Sequence, residues 1–266
     1  MKAMGLPHIL ITVSVLLASC ATVDAPNSVR APGGLEGGQY AEVLQMWRPL
    51  AEQGDPRAQF LLGAMYEEIA QDHREAVRWY RLAAQQGYPE AQYFLGVLYS
   101  DGSGVSQDFS EASRWFELAA QQGLVEAQYS LGYLHYAGLI DPRDYSEAAR
   151  WFRLAAQQGL ADAQNNLGLL YAEGLGVSQD YREAAHWYEM AAQQGLSRAQ
   201  FNLGNMFLLG RGTPENYMLA HKWFNLAASQ GNEAAAHNRG RLASQMTPAQ
   251  IAEAQKLARE WLAEKK

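Results

Sequence analysis

The chain has 266 residues, a formal net charge of −7 and 48% hydrophobic residues, a composition that can build an ordinary packed core. No basic stripe offsets the acidic balance, which excludes nucleic acid as an expected partner and adhesion to anionic lipid through charge alone. Cys20 is the single cysteine, so an intramolecular disulfide and a thiolate metal cluster are both impossible.

Residues 1–20 open with Lys2, run apolar through Ile9, Leu10, Ile11, Val13, Val15, Leu16 and Leu17, and end on small residues. A charged start and a short apolar stretch read as a secretory signal, too short for a spanning helix. The ending Leu17-Ala18-Ser19-Cys20 resembles the bacterial lipobox, in which the cysteine is acylated and becomes the new N-terminus. The alternative is an ordinary signal with an incidental cysteine. Acylation implies a lipid anchor, since several chains hold a soluble domain where one holds it weakly. Ala21 follows the cysteine where aspartate commonly marks inner-membrane retention, so the resemblance implies the outer membrane, with the domain expected in the periplasm. Residues 21–39 contain Pro26, Pro32, Gly33, Gly34, Gly37 and Gly38 and are expected to be a flexible tether.

Beyond the tether, Trp79, Trp115, Trp151, Trp187 and Trp223 recur every 36 residues. Gly87, Gly123, Gly159, Gly195 and Gly231 keep one register, and Gly96, Gly132, Gly168, Gly204 and Gly240 another. A period in this range marks a solenoid whose units bury their apolar faces on one another. We read one elongated all-α domain over residues 40–245: a half repeat at 40–54, five repeats at 55–87, 88–123, 124–159, 160–195 and 196–231, and a terminal helix at 232–245. Residues 246–266 are expected to form a capping helix, started by Thr247 and Pro248 and amphipathic through Ile251, Leu257, Trp261 and Leu262.

Each repeat reads as two helices. Helix A is typified by Pro89-Glu90-Ala91-Gln92-Tyr93-Phe94-Leu95-Gly96-Val97-Leu98-Tyr99, with Ala91, Leu95, Leu98 and Tyr99 on one stripe. Gly96 costs about 1 kcal/mol against alanine in mid-helix, so its recurrence implies close approach of the paired helix. Helix B is typified by residues 145–158, closed by Gly159 in the left-handed position. Asp144 and Glu147, like Asp72/Glu75, Asp108/Glu111 and Asp180/Glu183, resemble capping boxes, a better account of the paired carboxylates than acid–base catalysis. The intervening Gly-x-Gly of Asp101-Gly102-Ser103-Gly104 lacks a preceding strand and is a turn, not a phosphate cradle.

Ala-Gln-x-x-Leu-Gly-x-x-Tyr, Gly-x-Gly-Val-x-x-Asp, Glu-Ala-x-x-Trp and Ala-Ala-Gln-Gln-Gly together resemble the Sel-1-like repeat, related to tetratricopeptide arrays. The resemblance implies an α/α superhelical solenoid of antiparallel helix pairs, with one face of the A helices lining a concave groove. Columns that vary between repeats are the ones free to bind. One reads Arg57, Glu90, Glu126, Asp162, Arg198; a second reads Phe60, Tyr93, Tyr129, Asn165, Phe201. A third holds Val97, Tyr133 and Asn205, with Tyr136 nearby. Exposed rings and amides here would suit peptide or glycan recognition, and Glu90, Glu126 and Asp162 would favour cationic partners. The bland alternative is that the rings pack against neighbouring helices.

No catalytic constellation is expected. The histidines lack zinc-site spacing, no nucleophile elbow occurs, and no metal or cofactor is expected. Some cysteine-rich relatives are linked to β-lactam hydrolysis, but their interhelical cysteines are absent here. The leading functional expectation is a membrane-anchored protein-binding scaffold or adaptor of the bacterial envelope. The alternative is a binder of cell-wall glycan or peptide, and the remote one is a hydrolase.

Overall fold

The computed structural model describes residues 37–68 and 70–265; Cys20, the signal and most of the tether lie outside them. The described residues divide into two compact units, ending at Pro142 and beginning at Arg143. The repeat period runs through both. The division falls in the loop between the helices Val125–Ala137 and Tyr145–Gln157. There Ile140 stands where other repeats carry Gly104, Gly176 and Gly212.

In the N-terminal unit, α1 (Gly37–Glu52) is followed by three A helices, α2 (Pro56–Glu68), α4 (Pro89–Asp101) and α6 (Val125–Ala137). They alternate with two B helices, α3 (His73–Gln85) and α5 (Phe109–Gln121). Each packs on its neighbours in sequence. Helix α1 begins at Gly37, inside the expected tether, and runs through Pro49. In the C-terminal unit, B helices α7 (Tyr145–Gln157), α9 (Tyr181–Gln193) and α11 (Tyr217–Ser229) alternate with A helices α8 (Ala161–Glu173) and α10 (Ser197–Leu209). Then come α12 (Glu233–Ala243) and α13 (Pro248–Glu264). Every described element is a helix, and none is long and apolar enough to cross a membrane.

Alternation follows from local chemistry. B helices α3, α5, α7 and α9 start at Asp72, Asp108, Asp144 and Asp180, whose carboxylates accept the N–H groups two and three residues on. That satisfies donors a helix start leaves unpaired. The expected capping box is half formed there. Glu75, Glu111 and Glu147 turn away to Arg78, Arg114 and Arg150, and Glu183 accepts the Trp187 indole N–H. The full reciprocal box forms at Thr247 and Gln250, where the Gln250 side-chain oxygen accepts the Thr247 backbone N–H and the Thr247 hydroxyl oxygen accepts the Gln250 backbone N–H. Gly159 ends α7 with φ +96°, as the sequence reading expected.

The core is layered aromatic on small. Tyr80, Phe116, Phe152 and Phe224, each one residue beyond the tryptophan column, are fully buried. A Cβ on Gly63, Gly96, Gly168 or Gly204 would lie 2.6–2.9 Å from the ring of Tyr80, Phe116, Tyr188 or Phe224 respectively. Loop glycines serve a different contact. A Cβ on Gly104, Gly176 or Gly212 would collide with the backbone at His73, Tyr145 or Tyr181, the first residue of the preceding B helix.

A polar ladder ties successive pairs. Gln92, buried in α4, donates to the Ala84 carbonyl (3.1 Å) and accepts from Gln122 (2.8 Å); Gln164 and Gln200 repeat both bonds with Ala156/Gln194 and Ala192/Gln230. At the C-terminal end, Arg239 replaces the core leucine and donates to Asn225. Helix α13 packs on α11, setting Trp261 6.1 Å from Trp223 and donating its indole N–H to Gln193.

Candidate functional site

The varying columns of the A helices separate by burial. In the N-terminal unit Phe60, Tyr93 and Tyr129 are buried, 1%, 6% and 1% exposed. Phe60 sits among the rings of Tyr80, Tyr88 and Phe94, and Tyr93 lies against Phe94 and Phe116. The exposed aromatic stripe expected from sequence is therefore corrected at these three positions. They face the paired helices, because a ring three residues before the small glycine has room to pack inward. Burial and the nearby charge of Glu126 push the Tyr93 hydroxyl well above its ordinary range.

What stays accessible in this unit is a narrower set. Arg57, Glu90, Val97, Glu126, Tyr133 and Tyr136 are all half-buried. Glu126 is held above the usual carboxylate range, first by burial and then by the charge of Glu90, while a backbone hydrogen bond pulls the other way. Glu90 and Glu126 lie in the first turns of α4 and α6, and half-buried Val97 and Tyr133 lie two turns further along the same helices.

The C-terminal unit differs. Asp162 is ion-paired with Arg198, so the acidity expected at that position is compensated. Asn165 is buried at 5% exposure, which also corrects its assignment as an exposed amide. It accepts from Asn202 at 3.0 Å, and Asn205 accepts from Asn238 at 3.1 Å. Half-buried Phe201 packs on Phe224. This face is a neutral row of amides that partner one another.

Among the described residues, no group of three or more histidine, cysteine, aspartate or glutamate side chains is placed to hold a metal ion. His135 is half-buried in the tyrosine column, and His186 lies exposed on α9. His221 is buried with Nδ1 unpartnered, its pKa lowered by burial and then by Arg239.

The model of the Sel1 repeat matches residues 56–88, 89–124, 125–160, 161–196 and 197–232. The chain belongs to the Sel1 repeat family. These five repeats coincide, within a residue, with the period of the tryptophans. A Sel1 repeat protein from Oxalobacter formigenes is 35% identical, with 84% of this chain and 95% of that chain covered and a TM-score of 0.68. A second structure is c5321, described as a protective antigen present in uropathogenic Escherichia coli strains and displaying an SLR fold. It is 36% identical with a TM-score of 0.76, covering 82% of this chain and 48% of that one. The Sel1 chain described here thus spans about half the length of that antigen. No match was found among curated proteins.

Two features of the site region escaped the sequence reading. The glutamine ladder shows in the sequence as a recurring Ala-Gln and Gln-Gln-Gly, whose partners lie about 30 residues apart. A cleft between α3 and the loop after α4 also went unseen, because its residues come from two repeats.

Proposed function

We propose that this Sel1 repeat chain is a lipid-anchored scaffold of the bacterial envelope that binds a partner protein on the A-helix face of its N-terminal unit. The observation that carries this reading is the pair of acidic helix starts, Glu90 and half-buried Glu126, on the A helices whose later turns carry half-buried Val97 and Tyr133. Burial, with a smaller contribution from the charge of Glu90, makes ionised Glu126 costly, a cost that a cationic side chain from a partner would relieve. The partner chemistry is a segment bearing lysine or arginine next to an apolar residue. Cys20, at the end of the lipobox-like segment, supplies the anchor in this reading, on the periplasmic face of the outer membrane.

Charge reversal tests the binding face. Glu90→Lys with Glu126→Lys should abolish co-purification of the partner while leaving the melting temperature within a few degrees; retained partner would contradict the reading. Cys20→Ser should release a folded domain from the membrane fraction, and continued tight retention would contradict the anchor. A second reading, binding of cell-wall glycan or peptide, is favoured by the half-buried amides of Asn202, Asn205 and Asn238. Saturable muropeptide binding lost on Asn202→Ala would support it. The first reading is preferred because these amides already satisfy part of their hydrogen bonding with one another.

A further inference from the structure

Helix α3 carries Arg74, Arg78 and Arg81 on its outward side, with exposed Leu82 beside them. Together with Val77 and Val105, the latter from the loop after α4, they line a cleft of ≈ 500 Å³. The cleft exists because Gly104 lets that loop lie directly on the start of α3. Of the three guanidiniums, that of Arg78 pairs with Glu75 at 3.3 Å, and the carboxylate of Asp72 is engaged as the helix cap by the backbone N–H groups of Arg74 and Glu75. Arg81 donates to the Tyr99 hydroxyl at 2.9 Å, which orients its planar head while leaving other N–H donors. The Arg74 guanidinium has no partner among the described residues.

The comparison between repeats marks this as a special position. Where α3 has Arg74, the following B helices have Ser110, Ser146, Arg182 and Met218; where it has Arg81, they have Glu117, Arg153, Glu189 and Asn225. Arg78 is followed by Arg114, Arg150, His186 and Lys222. Helix α3 alone of the five B helices carries arginine at all three columns, in a chain with 21 basic against 28 acidic residues. A scattered solvated charge does not require this concentration, nor an apolar floor beneath it.

We propose that this cleft is a second binding site, distinct from the A-helix face, for an acidic segment of a partner protein. Carboxylates on the segment engage the arginine heads in charge-assisted, two-pronged hydrogen bonds. An adjacent apolar side chain of the segment covers Val77, Leu82 and Val105. The two faces of the N-terminal unit thereby select opposite charges, cationic on the A-helix side and anionic on the α3 side.

The test uses fluorescence anisotropy of the full chain with a fluorescein-labelled peptide of alternating glutamate and leucine, and with its glutamine-for-glutamate counterpart. The variant is Arg74→Ser with Arg81→Glu; each replacement already occupies the same column of a sibling B helix, so folding should persist, checked by thermal melting. The wild-type chain should bind the glutamate peptide saturably, more weakly as salt rises. The double variant should bind it about tenfold more weakly or worse, as expected for lost charge-assisted bonds. Equal binding of both peptides, unchanged affinity in the folded variant, or no saturable binding by the wild-type chain would each overturn the proposal. Loss in the variant that spares Glu90→Lys/Glu126→Lys separates this site from the A-helix face.

Discussion

Gly96 on α4 lies directly under the ring of Phe116 on α5, so that a Cβ at position 96 would stand 2.7 Å from Cδ1 and Cε1 of that ring. Phe116 is fully buried and cannot swing away. Gly96→Ala should therefore destabilise the chain by about 1–3 kcal/mol through overpacking, despite alanine's better helix propensity. Gly240 repeats the position with open space above it, so Gly240→Ala should be neutral or stabilising by up to about 1 kcal/mol. Urea unfolding midpoints for the two variants check the contrast; equal shifts would contradict it.

The glutamine ladder should be worth more than its surface partners suggest. Gln92 is 4% exposed and links the Ala84 carbonyl to Gln122. Gln92→Ala removes both bonds, leaving the Ala84 carbonyl only backbone partners such as the Gly87 N–H (3.0 Å), and should cost about 1–3 kcal/mol. Gln122→Ala, at an exposed residue, should cost less. Thermal melting of both variants orders them.

Two titratable groups, half-buried Glu67 and buried His221, set opposite pH slopes. Burial raises Glu67 above its ordinary 4.5, partly offset by the 2.7 Å hydrogen bond from Tyr80. The folded state then holds this proton more tightly, so stability falls as pH rises from 4.5 through the raised value. His221 is lowered from 6.5, so its contribution is present above 6.5 and falls as pH drops below it. Glu67→Gln should flatten the first slope. His221→Ala, matching Ala149 and Ala185 in the same column, should flatten the second. Chemical denaturation at a series of pH values reads both.

Linkage at the candidate site gives a further expectation. Glu126 has a raised pKa, so a cationic partner that prefers the ionised form should expel a proton on binding and bind more tightly as pH rises through that value. Calorimetry in buffers of different ionisation heat measures the proton release, and Glu126→Gln should remove it.

The repeats were legible because their determinants are local or periodic: Asp72-type caps, Gly159-type stops, and small residues opposite large ones at a fixed period. The site was less legible. Whether Tyr93 points at solvent or at Phe116 depends on the angle between paired helices, and the sequence carries no local trace of that angle. The Arg81–Tyr99 bond does leave a signal. Arg48, Arg81 and Arg153 donate to Tyr66, Tyr99 and Tyr171, whereas Glu117 and Glu189 accompany His135 and Phe207 in the same columns. The signal lies in pairs of columns rather than in any single one. The α3 cleft needs residues brought together from consecutive repeats, so single-column comparison misses it too.

The most direct test of the scaffold reading is in-cell photo-crosslinking from Val97 and Tyr133, with Arg153 on helix α7 as the control position. A discrete protein adduct from Val97 and Tyr133, absent from Arg153 and lost on Glu90→Lys/Glu126→Lys, is the predicted result. A folded, expressed chain that gives no adduct from either position, or the same adducts from all three, would contradict it.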